Sequence, residues 1–297
     1  MPSLRPLAVH CAVLLILFVL PACGDGGTAS DSSTPTSTST AVTATTVVTK
    51  PSVVVPTEIP TDLAITDLTT GSGPPAAIGD VIIVHYVGVV SATGEEFDNS
   101  YDRGEPFEVL LGANKVIAGW EQGLLGAQQG GRRQLDIPAD LAYGDSPPAG
   151  GPIQPGEALS FVVDVVAVLP TSVATDEPQV TLAAAANIGV LQATDLIVGT
   201  GASPTDGQNV AIRIISLRAD TGERLASDWG GPPLTFAYSA ASDVYPGLLA
   251  AVKGMQVGGR RQVQIPFPLM FDGQGNEGLG LPASIDLVVV IDLIGIY

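Results

Sequence analysis

The chain has 297 residues, 45% of them hydrophobic, and sets 12 Lys and Arg against 30 Asp and Glu for a formal net charge of −18. Such acidity provides no basic footprint for nucleic acid and repels anionic lipid or polyphosphate. Two histidines and two cysteines leave little material for a His-built metal site, a Ser-His pair or a disulfide framework.

The first segment is not globular. Arg5 precedes the apolar run Leu7 to Leu20, whose 14 residues fall short of the roughly 20 needed to span a bilayer. A basic start, a short apolar stretch and a small residue at its end describe a secretory signal over residues 1–22. Its close, Leu20-Pro21-Ala22-Cys23, resembles a bacterial lipobox with Cys23 as the lipidated residue, although Pro21 is a less usual occupant. The alternative is a plain secretory signal with an incidental cysteine. With Cys11 removed and Cys23 lipidated, no disulfide forms in the mature chain, which must stand on its apolar cores. The lipid would hold an extracytoplasmic protein on the membrane.

Residues 23–61 change composition abruptly: 14 of the 22 residues from Thr28 to Thr49 are Ser or Thr. Such a tract buries too little apolar surface to offset its ordering entropy and reads as a disordered tether. As a flexible coil its roughly 38 residues reach on the order of 35 Å.

Beyond the tether the chain repeats itself. GAQQGGRRQLDIP from Gly126 returns as GMQVGGRRQVQIP from Gly254, an offset of 128 positions. At the same offset Thr66-Asp67-Leu68 returns as Thr194-Asp195-Leu196 and Thr93-Gly94-Glu95 as Thr221-Gly222-Glu223. Solenoid units run only about 20–50 residues, so a unit this long is a domain. Two domains are expected, at 62–170 and 179–297.

In the first copy, Val81 to Val90 is an apolar, β-branched run that reads as a well-buried strand, with further strands at 107–111, 131–137 and 159–169. Residues 117–128 place Trp120 and Leu124 four apart, enough for one short amphipathic helix. Glycines at 119, 123 and 126 weaken it, so packing must hold it. An antiparallel sheet with one helix against it makes the class α+β.

The series HYVG (85–88), FDNSYDRGEPFEVLLG (97–112), VIAGWEQGLLG (116–126) and LAYG (141–144) resembles the FKBP-type peptidyl-prolyl cis-trans isomerases from about Leu63 to Pro170. The resemblance implies a half-wrapped sheet around a short helix, with an aromatic pocket that takes in proline and no cofactor or metal. It places Trp120 at the pocket floor and Tyr86, Phe97, Phe107, Val116, Ile117 and Phe161 as walls. Asp98 and Tyr143 form a polar rim, Arg103 orients Asp98 and Tyr86, and Ile153 sits on a loop over the mouth. For Trp120 alone an ordinary core tryptophan is the alternative, and for Asp98 and Arg103 a solvated surface pair. Two departures stand out: Val109 replaces a phenylalanine frequent in the family, and the 145–155 loop is rich in Pro and Gly and lacks a histidine found in some members. The partners implied are unfolded or proline-containing exported polypeptides, and macrolide inhibitors that fill such pockets.

In the second copy the 128-residue offset turns Tyr86 into Ile214, Phe97 into Leu225, Asp98 into Ala226, Ile117 into Tyr245 and Trp120 into Leu248. With a shifted loop, Tyr143 falls on Phe271 and Phe161 on Leu287. The scaffold is kept and the pocket is not, which leaves client binding or support of the first domain as roles. Gly273 to Gly278 matches GxGxxG, but it precedes a strand rather than opening a helix and reads as a turn. Asp272, Asn276 and Glu277 lack the spacing of an EF-hand loop, and a solvated acidic turn is the simpler reading. An enzyme and a non-catalytic client-binding module are the two function classes carried forward.

Overall fold

The computed structural model describes residues 49–182 and 187–297. The signal segment, Cys23 and the tether as far as residue 48 lie outside the described residues. Among the described residues no helix is long and apolar enough to cross a membrane.

The first domain is built from β1 (Ala64–Thr69), β2 (Val81–Val90), β3 (Glu96–Asn99), β4 (Phe107–Leu110), α1 (Ala118–Gly123), β5 (Arg132–Ile137) and β6 (Leu159–Leu169). Its strands run in the order β1-β5-β6-β2-β3, with β4 also on β2, and every pairing is antiparallel. The second contains β7 (Gln192–Ile197), β8 (Gln208–Arg218), β9 (Arg224–Ser227), β10 (Leu234–Tyr238), α2 (Pro246–Val252), β11 (Arg260–Ile265) and β12 (Leu287–Ile296). It repeats the topology as β7-β11-β12-β8, with β9 and β10 both on β8. Two tandem antiparallel sheets, each with one short helix, are the α+β architecture expected.

Register confirms the offset strand by strand. Gly88 faces Asp98 and Phe161 across the first sheet, and Ser216 faces Ala226 and Val289 across the second. The counterpart of Phe161 is therefore Val289, and Leu287 matches Leu159, which pairs with Ile137 as Leu287 does with Ile265. The loops before β6 and β12, residues 138–158 and 266–286, are equally long, so the loop shift expected from the sequence does not occur and the 128-residue spacing holds through β12.

The helix is shorter than the 117–128 expected, because Gly126 at φ 74° turns the chain away soon after Gly123. It also lies very close to the sheet. A Cβ on Gly119 would sit 2.3 Å from Ile137 Cγ2, and one on Gly123 2.7 Å from Leu135 Cδ2. Side chains of the sheet thus fill the space that helix side chains leave open. In α2 the first contact recurs as Gly247 against Ile265, while the positions of Gly123 and Leu135 are taken by the buried Ala251 and the smaller, buried Val263.

The repeated GGRRQ has a structural cause. Arg133 Nε and Nη2 donate to Asp67 of β1 at 2.7 and 3.1 Å, while Nη1 donates to the carbonyls of Gly123 and Leu125 at the helix end. Arg261 does the same to Asp195 and to the carbonyls of Ala251 and Lys253. One arginine thus ties the edge strand to the helix end, satisfying carbonyls that a helix leaves unpaired. Its neighbour joins the central strands through Arg132 to Asp164 and Arg260 to Asp292.

The segment before each sheet also belongs to the repeat. Residues 49–61, the end of the expected tether, run along the first domain: Lys50 pairs with Glu96 at 2.8 Å and Asp102 at 2.9 Å, and Gln134 donates to the Val54 carbonyl. Before the second sheet, Glu177 pairs with Arg224, the counterpart of Glu96, and Gln262 donates to the Thr181 carbonyl. The same strap is held by an ion pair of reversed polarity.

The two sheets meet on their outer faces. Val81, Ile83, Ala167 and Leu169 of the first domain form one buried cluster with Ala211 of the second, flanked by Ile294 and Tyr297. Arg213 reaches across to donate to the Pro170 carbonyl at 2.9 Å.

Candidate active site

Along β2, Ile82, Val84 and Tyr86 turn inward to one apolar cluster with Trp120 and Leu124. Gly88 continues this face, and a Cβ there would lie 2.6 Å from Phe161 Cε1 and 2.8 Å from Phe97 Cζ. The glycine makes room for two rings. Trp120, 4% exposed, stands at the centre of an edge-on array: Tyr86 at 5.1 Å and 89°, Phe161 at 5.3 Å and 81°, Phe107 at 6.1 Å and 76°. These T-shaped contacts are the preferred geometry of aromatic pairs and fix each ring by its neighbours. The buried Trp120 Nε1 has no hydrogen-bond acceptor among the described residues.

Above this floor opens a cleft of ≈ 410 Å³, lined by Tyr86, Phe97, Asp98, Phe107, Asn114, Lys115, Val116, Ile117, Trp120, Tyr143 and Phe161. Two of its polar groups form one network with Arg103. The Tyr86 hydroxyl donates to Asp98, and Arg103 donates both to Asp98 and, at 2.8 Å, to the Tyr86 oxygen. The guanidinium also lies 5.6 Å from the centre of the Tyr86 ring. Burial first, then the bond to Asp98, pushes the Tyr86 phenol up to about 12, so it stays a neutral donor at ordinary pH. Burial, then the Asp98 charge, raises Tyr143 as well.

Of the residues singled out in the sequence, nine line this cleft, and Arg103 stands behind Asp98 as its partner. Ile153 does not line it: the residue is 8% exposed and packs into the first core cluster. Val109 is likewise buried in that core. The sequence alone gives no signal for Asn114 and Lys115, which directly precede Val116 and Ile117 in the cleft lining, or for the close approach of Gly88 to the two rings.

The second domain has no comparable polar rim at the matching positions. Ile214, Leu225, Tyr245, Leu248 and Phe271 belong to one apolar cluster with Met270 and Leu281. Tyr245 and Phe271 meet at 5.0 Å, and burial pushes the Tyr245 hydroxyl up. At the position of Gly88 stands Ser216, whose side chain is accommodated because Val289 and Leu225 replace the two rings. The GxGxxG stretch is a turn, with Asn276 and Leu281 exchanging backbone hydrogen bonds at 2.8 and 2.9 Å.

The family model described as FKBP-type peptidyl-prolyl cis-trans isomerase matches twice, at residues 73–166 and 201–294. The FK506-binding protein of Streptomyces anulatus is 58% identical over 111 residues, 37% of this chain and 90% of that protein. The FK506-binding protein of Neisseria meningitidis serogroup B is 42% identical over 106 residues, 36% of this chain and 95% of that protein. The peptidyl-prolyl cis-trans isomerase FKBP15-2 of Arabidopsis thaliana is 50% identical over 92 residues, 30% of this chain and 54% of that protein. With two matches that together span more than half its length, the chain belongs to the FKBP-type peptidyl-prolyl cis-trans isomerase family.

Proposed function

We propose that the first domain isomerises X-Pro bonds of exported polypeptides, and that the second supports it or holds clients without catalysing. The rotation has a barrier of about 18–20 kcal/mol because the amide is resonance-stabilised. No bond is made or broken, so neither nucleophile nor cofactor is required. A planar amide is more dipolar than a twisted one, hence an apolar cleft that strips its water favours the twisted state. Trp120, Phe161, Phe107 and Phe97 supply that environment, and the neutral hydroxyls of Tyr86 and Tyr143 with the Asp98 carboxylate supply polar contacts at its edge. The observation that carries the reading is this pairing of an aromatic floor with an Asp98 fixed by Tyr86 and Arg103. Macrolides of the FK506 class are expected to compete for the same cleft, as the names of the relatives suggest.

The sequence around Cys23 supports an extracytoplasmic lipoprotein, with the tether giving the domains reach above the membrane. Tyr245, Phe271 and Phe236, which pack partly buried on the second core, keep alive the reading of a non-catalytic client binder. A cis-trans assay on a proline peptide with the full-length protein tests the enzyme. Acceleration abolished by an FK506-type macrolide is expected, and a rate equal to the spontaneous one contradicts the reading. Cys23→Ser should release the protein from membranes, and a wild-type protein found wholly soluble removes the lipid anchor.

A further inference from the structure

All Lys and Arg except Arg5 lie within the described residues, and the protein ties nearly every one of them down. Lys50, Arg103, Arg132, Arg133, Arg218, Arg224, Arg260 and Arg261 each pair with a carboxylate. Arg213 is spent on three backbone carbonyls. Among the described residues only Lys115 and Lys253 have neither an ion pair nor a hydrogen bond from the side chain, and Lys115 lines the aromatic cleft. In a chain with 30 carboxylates, an uncommitted ammonium at that place is conspicuous.

The cleft's own carboxylate does not neutralise it, because Asp98 is held by Arg103 and Tyr86. Asn114, in the left-handed region at φ 54°, turns the backbone immediately before Lys115. Val116 and Ile117, which follow directly, form the wall of the same cleft. In the second domain the matching position is Asp243, so the sign is reversed where the pocket has been lost.

Resting on the isomerase reading above, we propose that Lys115 sets client preference, favouring prolines with an Asp or Glu within a residue or two over prolines flanked by Lys or Arg. The net charge of −18 repels acidic clients at long range, but a charge at the cleft acts within the Debye length of about 10 Å at 0.1 M salt, where it meets the client directly.

The test measures kcat/KM of the full-length protein on paired peptides that differ only by Glu or Lys beside the proline, for wild type, Lys115→Gln and Lys115→Glu. The readout is the Glu-to-Lys peptide ratio. Comparing variants cancels most of the long-range field, since Lys115→Gln changes the net charge of −18 by one and Lys115→Glu by two. An exposed ion pair supports a ratio about two- to fivefold higher in wild type than in Lys115→Gln. Lys115→Glu should push it lower still, and all three should converge at 1 M salt. A ratio unchanged by either substitution overturns the proposal while leaving the isomerase reading intact. Failure of wild type to accelerate either peptide overturns the isomerase reading itself.

Discussion

The two domains share their strand order and their arginine ties, and differ where the first gathers its rings. Arg133 and Arg261 make the same four hydrogen bonds in the same places, so this part of the sequence is constrained by folding and repeats almost letter for letter. Around the cleft, substitutions come in compensating sets. Phe97 and Phe161 give way to Leu225 and Val289 as Gly88 becomes Ser216, and Leu135 gives way to Val263 as Gly123 becomes Ala251. The second domain is thus a repacked apolar core that keeps the scaffold without the ring array. Close packing explains why the changes are coupled, since a methyl added without space made for it is strongly felt.

The interface between the sheets should carry the largest stability effect. Leu169 is 1% exposed in the cluster shared by both domains, and a Cβ on Gly295 of β12 would come within 2.6 Å of it. Leu169→Ala is expected to cost about 2–5 kcal/mol. Denaturant unfolding of the full chain should then show the two domains melting further apart. Coincident transitions at the wild-type midpoint would show that the sheets do not support each other.

Exchanging the residues at the matched β2 and β8 positions isolates the demand that the rings place on the strand. Gly88→Ser forces a side chain against Phe97 and Phe161 and is expected to cost about 1–3 kcal/mol and to lower isomerase activity. Ser216→Gly meets no ring and should cost only the roughly 0.5–1 kcal/mol of a glycine within a strand, with activity unchanged. Equal costs in thermal unfolding would mean that the rings do not constrain β2.

The smallest effect is a pH dependence confined to one domain. His85 hydrogen-bonds Ser100 at 2.9 Å and stacks on Tyr101, and burial lowers it from the usual 6.5. A depressed folded value means stability present above pH 6.5 and lost as pH falls through the folded value, because the unfolded chain takes up the proton more readily. Arg213 occupies the matching position and does not titrate in this range. First-domain stability should decline more steeply below pH 6.5 than second-domain stability, and His85→Gln should remove the difference.

Much of this was legible in the sequence, for physical reasons. β2 and β6 are buried along almost their whole length, so their apolar runs give correct limits. β1 and β7 are exposed throughout and have no alternation to read; only pairing with β5 and β11 makes them strands. The strap at 49–61 reads as tether in the sequence because its contacts are a backbone carbonyl and one lysine, which composition does not register. In the site, the aromatic and acidic residues stood in an ordered series and could be named. Ile153 went astray because a Pro- and Gly-rich loop does not fix which way its side chains turn, and that one turns inward. Lys115 and Gly88 escaped notice because a free charge and a missing Cβ acquire meaning only beside their neighbours.

Turnover belongs to the first cleft alone if substituting the floor residue of each domain within the intact chain affects activity only in the first. Trp120→Leu installs the second domain's residue in the first, and Leu248→Ala truncates its counterpart; both variants should first be checked for folding by circular dichroism. In the peptide cis-trans assay, Trp120→Leu is expected to lower kcat/KM of the full-length protein at least about tenfold, a loss of roughly 1.4 kcal/mol or more of transition-state stabilisation, while Leu248→Ala leaves it within a factor of two. A folded Trp120→Leu protein that retains most of its activity, or a Leu248→Ala protein that loses it, would contradict the account.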